Sequence, residues 1–368
     1  MPGTITTRLF FDGDSMHGPT SITIEGSTVA AIEPLRGEAD HHLVCPGLVD
    51  LQMNGFGSVD CSRANASELA ALDARLASLG TTSWLATIVT APLDRLDESI
   101  GSITEAIESG HVPGCRGIHV EGPFLGSAHG AHRSDWVREP DPTWVDALPD
   151  TVRLVTVGAE SNASVDLVRA LVDRGITVSL GHTRPSDAQY TAVVAAGASM
   201  VTHLFNGMSG VHHRDDGLAL SALLDDRVAT GLIADMVHVS PAAVSLAFRA
   251  KRGRGVVLVS DSVAWESPWA RSRGVSIRSG APRLWDGTLA GSSTPLLDGL
   301  VRSVTEASVD VAAALRAATS TPADVIGDAT IGRIRMGLPC DILTFDDFPS
   351  VRVTGRRLVF PRGIESHP

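Results

Sequence analysis

Eight short apolar runs recur along the chain, at 48–52, 82–89, 117–121, 152–157, 177–181, 200–205, 231–234 and 256–260. Between them lie segments with apolar residues at helical spacing, for example 67–79, 164–174, 185–196 and 241–250. A short apolar run bounded by turn residues suits a strand buried on both faces. Such strands alternating with helices imply parallel pairing, since each crossover returns the chain to the same end of the sheet. Eight units of this kind in about 280 residues fit a closed (β/α)8 barrel of the TIM type. A doubly wound open sheet is the rival arrangement. The two ends of the chain look different. Short strand-like stretches at 7–11, 21–25 and 28–33, and again at 341–345, 351–353 and 357–360, alternate with Gly-, Asp- and Pro-bearing turns. Neither end is long enough to make a good sheet alone. The expected fold class is therefore α/β. A barrel spans 46–330, with a small β-sandwich domain formed from both termini, 1–45 and 331–368.

Charge narrows the range of partners. Thirty Lys+Arg face 42 Asp+Glu, a formal charge of −12 over 368 residues. That balance argues against nucleic acid or an anionic membrane surface as the main partner. It leaves a small anionic substrate open, because a site is local and net charge is not. With 43% hydrophobic residues, disorder of the whole chain is excluded. No basic segment followed by an apolar stretch opens the sequence, and no run of about 18 apolar residues occurs, so a cytoplasmic protein is expected. Cys45, Cys61, Cys115 and Cys340 are scattered without a C-x-x-C pair. They are expected as isolated thiols in a reducing compartment.

Active sites of such barrels sit at the C-terminal ends of the strands. Six candidate strands end in polar residues able to bind a metal or move a proton. They are Gln52 and Asn54 on the first, Glu121 on the third, His182 on the fifth, His203 on the sixth, Asp235 and His238 after the seventh, and Asp261 on the eighth. Glu121, His182 and His203 form a candidate metal set. Two imidazoles and one carboxylate leave a coordination position open for water, as in catalytic rather than structural zinc sites. Asp261 is a candidate general base, since a carboxylate beside a metal can take the proton of its water; its bland role is a helix N-cap. His238 and Arg214 are candidates for an anionic group, against plain surface solvation. His132 lies on the long loop after the third strand, where loops often close over substrate.

Taken in order, CPGLVDLQMNG, GIHVEGPFL, LGHT, VTHLFNGMSG, IADMVHVS and LVSDS resemble the motif set of the N-acetylglucosamine-6-phosphate deacetylase family, within the amidohydrolase superfamily. LAGSSTPLLDG and GRIRMGLPCDILTFD extend the similarity along nearly the whole chain. The resemblance implies Glu121, His182 and His203 as metal ligands and Asp261 as the catalytic aspartate. It implies His132 and His238 as substrate contacts, Arg214 as a phosphate-binding arginine, and Asn206 with Gly207 as the segment that holds the sugar. It further implies a homodimer in which a phosphate contact can come from the neighbouring subunit.

Many amidohydrolases carry His-x-His on the first strand and bind two metals. Here those positions are Gln52 and Asn54, and an amide is a poor ligand compared with imidazole. Gln52 is then expected to contact the water of a single divalent ion, zinc above other metals. Relatives with a bridging carboxylated lysine need a lysine at a strand end. The sole lysine, Lys251, lies in a basic run ahead of the eighth strand. The expected reaction is hydrolysis of the acetamide of N-acetylglucosamine 6-phosphate to glucosamine 6-phosphate and acetate. Departures from the family pattern at Met236, Ser262, Asp215-Asp216-Gly217 and the tryptophan-bearing segment 263–273 keep another N-acyl amino sugar as an alternative. A non-catalytic barrel scaffold is a further one.

Overall fold

In the computed structural model, which describes residues 3–348, the eight apolar runs pair in chain order and in parallel. The barrel strands, first to eighth, are Leu48–Met53, Thr81–Val89, Cys115–Glu121, Val152–Val157, Thr177–Leu180, Met200–Val201, Ala229–Ile233 and Val256–Val259. The ring closes between the eighth strand end and the first. The Asn54 N–H donates to the Ser262 carbonyl at 2.9 Å, and the Asp261 N–H to the Gln52 carbonyl at 3.0 Å. Asp50 pins the same seam, its Oδ1 accepting the backbone N–H of Gln52 at 3.1 Å and of Ser260 at 3.2 Å.

Two apolar layers explain why the strands read as unbroken hydrophobic runs. Val49, Leu51, Leu85, Leu154, Ile233 and Val257 belong to an inner core. The segment around the helix Ser320–Val325 closes its base, adding Ala323, Ile326 and Ile331. Arg153 donates to the Ile326 carbonyl and Thr177 to that of Val325, which ties this plug to the N-terminal ends of strands. A larger outer core lies between the strands and the surrounding helices. Helix starts follow local chemistry. Asn65 with Glu68 and Ser186 with Gln189 form capping boxes, and Ser240 caps a helix that opens with Pro241.

Both chain ends meet in one sheet, ordered Ile342–Phe345, His41–Pro46, Gly3–Phe11, Thr20–Glu25, Thr28–Pro34. Alternation gives it two faces. Phe10, Ile22, Val44 and Ile342 form a core of their own, while Phe11, Leu43, Cys45 and Leu343 join the outer barrel core. The described residues supply one sheet of this domain rather than the two layers of a sandwich. The strands expected at 351–353 and 357–360 lie outside the described residues. The sixth strand stops at Val201 instead of reaching 205, because His203 and Phe205 take left-handed φ of 32° and 77° and turn the chain. All four cysteines are buried and free. No helix among the described residues is long and apolar enough to cross a membrane.

Burial pushes the Asp50 carboxyl up to about 6, against hydrogen bonds that favour its charge. The folded state thus holds this proton more tightly than the unfolded chain. Its contribution to stability is full below about pH 4 and is lost as pH rises through about 6, a change of order 3 kcal/mol at most. Asp50→Asn keeps an acceptor for both N–H groups and cannot ionise. Its Tm should fall less than that of wild type between pH 5 and pH 7 in thermal unfolding. Parallel curves for the two proteins would exclude a buried ionisation at this seam.

Candidate active site

The strand ends open into a cavity of about 500 Å³. Glu121, His132, His182, His203, Asn206, Gly207, His238 and Asp261 all line it. Four residues at its strand ends share one backbone device. His182, His203, Met236 and Asp261 have φ of 51°, 32°, 61° and 47°. A side chain in this left-handed region costs of order 1–2 kcal/mol. The conformation bends the backbone just past the strand ends, and the side chains of His182, His203 and Asp261 line the cavity.

Glu121 Oε1 lies 3.1 Å from His182 Nε2 and 3.0 Å from His203 Nε2, and the two imidazole nitrogens are 3.0 Å apart. His182 Nδ1 is 3.0 Å from the Ala128 carbonyl, which can only accept, so this nitrogen carries the proton and Nε2 presents a lone pair. A lone pair aimed at a carboxylate oxygen is unfavourable without a cation or proton between them. Ligands at about 2.0–2.1 Å in a tetrahedron stand about 3.3 Å apart. The observed triangle, slightly tighter than that, is the size a divalent cation needs. Burial opposes ionisation of Glu121, but its place against the rings of His182 and His203 holds its carboxyl well below the usual range.

His132 adds a fourth nitrogen. The Thr90 hydroxyl donates to the Glu121 carbonyl at 3.0 Å, so His132 Nδ1 donates to Thr90 Oγ1 at 2.9 Å and its Nε2 is left as an acceptor. Glu121, His132 and His182 offer ligand atoms all within 4.8 Å of one another. His132 Nε2 is nevertheless 4.0 Å from Glu121 Oε2, and burial drives its pKa down to about 3. It is a neutral acceptor at the edge of the triangle. Beneath the triangle, His119 bonds Thr87 at 3.3 Å and Thr156 at 2.8 Å, and Thr202 bonds Thr156 at 2.7 Å and Ser179 at 2.6 Å. This buried chain ties the second to sixth strands together just below the ligands.

The two amides of the first strand hold carboxylates. Gln52 Nε2 donates to Asp261 Oδ1 at 3.1 Å and lies 3.4 Å from both oxygens of Glu121. Asn54 Nδ2 donates to Asp261 Oδ1 at 2.8 Å. Asp261 Oδ2 is thereby left open to the cavity. Burial first, and the charge of Glu121 second, push the Asp261 carboxyl upward. His238 is fixed by Asp235, with Nδ1 to Oδ2 at 2.7 Å, so its Nε2 faces the cavity. Burial opposes the charge of Asp235, but bonds from His238 and two backbone N–H groups keep its carboxyl low.

The expected residues do not all converge. Gln52 sits under the cavity wall, reaching the site through its amide. Arg214 is exposed and outside the lining of this cavity. Lys251, far from supplying a bridging ligand, donates to the carbonyls of Asp225 and Val228 at 2.6 Å. Residues the sequence reading passed over also appear. Thr90 orients His132, and Arg63, Arg273 and Trp269 line the cavity. The one available signal was the unusual pair of tryptophans in 263–273.

Residues 43–358 match the amidohydrolase family. The chain is 34% identical to the N-acetylglucosamine-6-phosphate deacetylase of Bacillus subtilis (strain 168) over 286 residues, 72% of this chain and 70% of that protein. It is 33% identical to the Homo sapiens N-acetylglucosamine-6-phosphate deacetylase, covering 94% and 89% of the two chains. It is also 33% identical to the N-acetylgalactosamine-6-phosphate deacetylase of Escherichia coli O157:H7, covering 88% and 90%. Among solved structures, N-acetyl-D-glucosamine-6-phosphate deacetylase from Mycobacterium smegmatis superposes with a TM-score of 0.87 at 26% identity, over 97% of this chain and 98% of that one.

A cation shared by Glu121, His182 and His203 has a direct consequence. Purified protein should carry about one divalent ion per chain by elemental analysis, and Ala at any of the three should reduce it to a small fraction. His132→Ala should keep the ion. Loss on His132→Ala with retention on His203→Ala would move the ligand set onto Glu121, His132 and His182.

Proposed function

The chain belongs to the amidohydrolase family, and from that membership we propose that it hydrolyses the acetamide of N-acetylglucosamine 6-phosphate, giving glucosamine 6-phosphate and acetate. The observation that carries this reading is the convergence of Glu121, His182 and His203 on one point, with the open oxygen of Asp261 facing the same cavity. A divalent ion there, zinc foremost, supplies Lewis acidity that polarises an amide carbonyl and acidifies water.

The protein's own groups do the rest. Asp261 takes a proton as water oxygen adds to the carbonyl carbon. It returns that proton to the nitrogen as the C–N bond breaks, so the amine departs neutral with acetic acid, which then gives its remaining proton to water or to the freed amine and becomes acetate. Its raised basicity, set by burial and by Glu121, suits a group that must both accept and release a proton. Gln52 and Asn54 fix the carboxylate and leave Oδ2 as the working oxygen. His132 and His238 present acceptor nitrogens to the sugar, and Asn206 and Gly207 hold it from the sixth strand end. Residues 46–330 would form the catalytic barrel, and 1–45 with 331–368 the small β-domain.

Arg214 reaches phosphate in this scheme from a neighbouring subunit of a homodimer, which its place outside the cavity of its own chain supports. The galactosamine-named relative keeps the epimeric amino-sugar phosphate as a second reading. A cytoplasmic enzyme of amino-sugar metabolism is the setting that fits.

Arg214→Ala should raise KM for the phosphorylated sugar far more than for N-acetylglucosamine itself, since a lost charge-assisted contact costs roughly 2–4 kcal/mol. Equal changes on both substrates would remove phosphate from its role.

Asp261→Asn is nearly isosteric and should fold and retain metal. It can neither take the proton of water nor deliver it to the amine. Steady-state kinetics should show kcat lower by at least about 10²–10⁴, with substrate Kd little changed. Near-wild-type kcat in a metal-loaded variant would sink the assignment, because an N-cap aspartate is replaced well by asparagine.

A further inference from the structure

The cavity is larger than the metal triangle and its sugar-side contacts, and its walls are unequal. His182, Asn206, Gly207 and His238 follow the fifth, sixth and seventh strands. The opposite arc, formed by the loops after the eighth, first, second and third strands, brings Arg273, Arg63, Arg95 and Arg133 to the same cavity. These strands are neighbours around the closed ring, so the four guanidiniums share one side. A chain of net charge −12 has no electrostatic need to gather them there.

Three of the four are engaged by acids. Arg133 forms a fork with Asp135 at 3.0 and 2.6 Å, Arg95 pairs with Glu98, and Arg63 Nε lies 3.8 Å from Asp60. The Arg273 guanidinium has no hydrogen-bond or ion-pair partner among the described residues, while its backbone N–H bonds the carbonyls of Trp269 and Ala270. It is half-buried and stacks on Trp269, its guanidinium carbon 4.8 Å from the ring centre. Arg63 lies over the same ring at 4.8 Å. Burial, with the charges of Arg133 and Arg63, presses the Arg273 pKa downward, and the charge of Asp135 offsets this in part. An added oxyanion would relieve that crowding.

The segment that carries these groups is built rather than loose. Trp265 packs edge-on against Phe56 with ring centres 4.9 Å apart, and the Glu266 N–H donates to the Gly57 carbonyl at 2.8 Å. Ser267 caps the turn of helix Pro268–Ser272 that presents Trp269. A planar guanidinium held on an aromatic face keeps its N–H fork free for a carboxylate or phosphate.

We propose that Arg273, supported by Arg63 and Trp269, is an oxyanion-binding subsite that selects substrates by an acidic group directed away from Asn206 and His238. The inference rests on the N-acyl amino-sugar reading above. Two parts of such a substrate carry the required chemistry: the 6-phosphate itself, or a carboxylate ending a longer N-acyl chain.

The test compares wild type, Arg273→Gln and Arg63→Gln on N-acetylglucosamine 6-phosphate, N-acetylglucosamine and N-succinylglucosamine. Arg169→Gln, an exposed charge on the helix Ala163–Asp173, controls for net charge. Arg273→Gln should raise KM about tenfold or more for an acidic substrate, with kcat nearly unchanged and N-acetylglucosamine unaffected. Selective loss on the phosphate ester assigns the subsite to phosphate, and selective loss on the succinyl compound assigns it to the acyl carboxylate. Loss of the same size on all three substrates, or on none, overturns the proposal.

A second readout does not need turnover. Tryptophan fluorescence should report binding of glucosamine 6-phosphate or succinate to wild type, weakened about tenfold in Arg273→Gln. If wild type hydrolyses no substrate yet this binding difference stands, the deacetylase reading fails and the subsite survives. If both ligands bind the two proteins equally, the subsite fails whatever the activity.

Discussion

Two carboxylates, the buried Glu121 and the half-buried Asp261, meet in the mouth of one barrel, and the site is organised around that fact. Each ion is costly away from water unless it is paired and hydrogen-bonded. Glu121 faces His182 and His203 across a space of the size a cation fills; Asp261 accepts from the amides of Gln52 and Asn54. Gln52 touches both acids, so one amide couples the two halves of the site. Left-handed backbone at His182, His203 and Asp261 turns three of these groups into the cavity, and the closed ring beneath them supplies the rigidity that such strain requires.

Much of this was legible in the sequence, for identifiable reasons. Barrel strands are buried on both faces, so they appear as unbroken apolar runs, and seven of the eight lie within two residues of their expected limits. Glu121, His182 and His203 were visible because ligand-type residues at strand ends are rare by chance. Limits failed where backbone conformation outweighed pattern. The run at 200–205 is apolar enough for a strand, yet the left-handed φ of His203 and Phe205 ends it early. Asp50 looked like one letter of a motif, and its role at the seam depends on Ser260, far away in sequence. The arginine arc was illegible because four separate crossover segments contribute one residue each, and ring closure is what brings Arg273 beside Arg63.

Net charge and local charge part company here. The formal charge of −12 disfavours an extended polyanion as partner, and it says nothing about the cavity, where arginines line the same space as Glu121, His182 and His203. Arg214 shows the converse. A basic residue in a suggestive motif lies outside the cavity of its own chain, so its proposed part in catalysis depends on assembly rather than on the fold of one subunit.

Placing amides at positions 52 and 54 has a consequence for metal number that goes beyond weak ligation. An imidazole there would bring a lone pair toward Glu121 and Asp261, and two more lone pairs beside two carboxylates would require a second cation to balance them. An amide brings N–H donors instead, which neutralise part of that repulsion without any ion. Asn54 still leaves its Oδ1 buried without a partner among the described residues, at the edge of the cavity, where a hydroxyl of substrate or a water can donate to it. The first strand therefore supplies a fixed carboxylate and one spare acceptor where two imidazoles would bring ligand atoms. In the proposed reaction, this arrangement leaves the proton to Asp261.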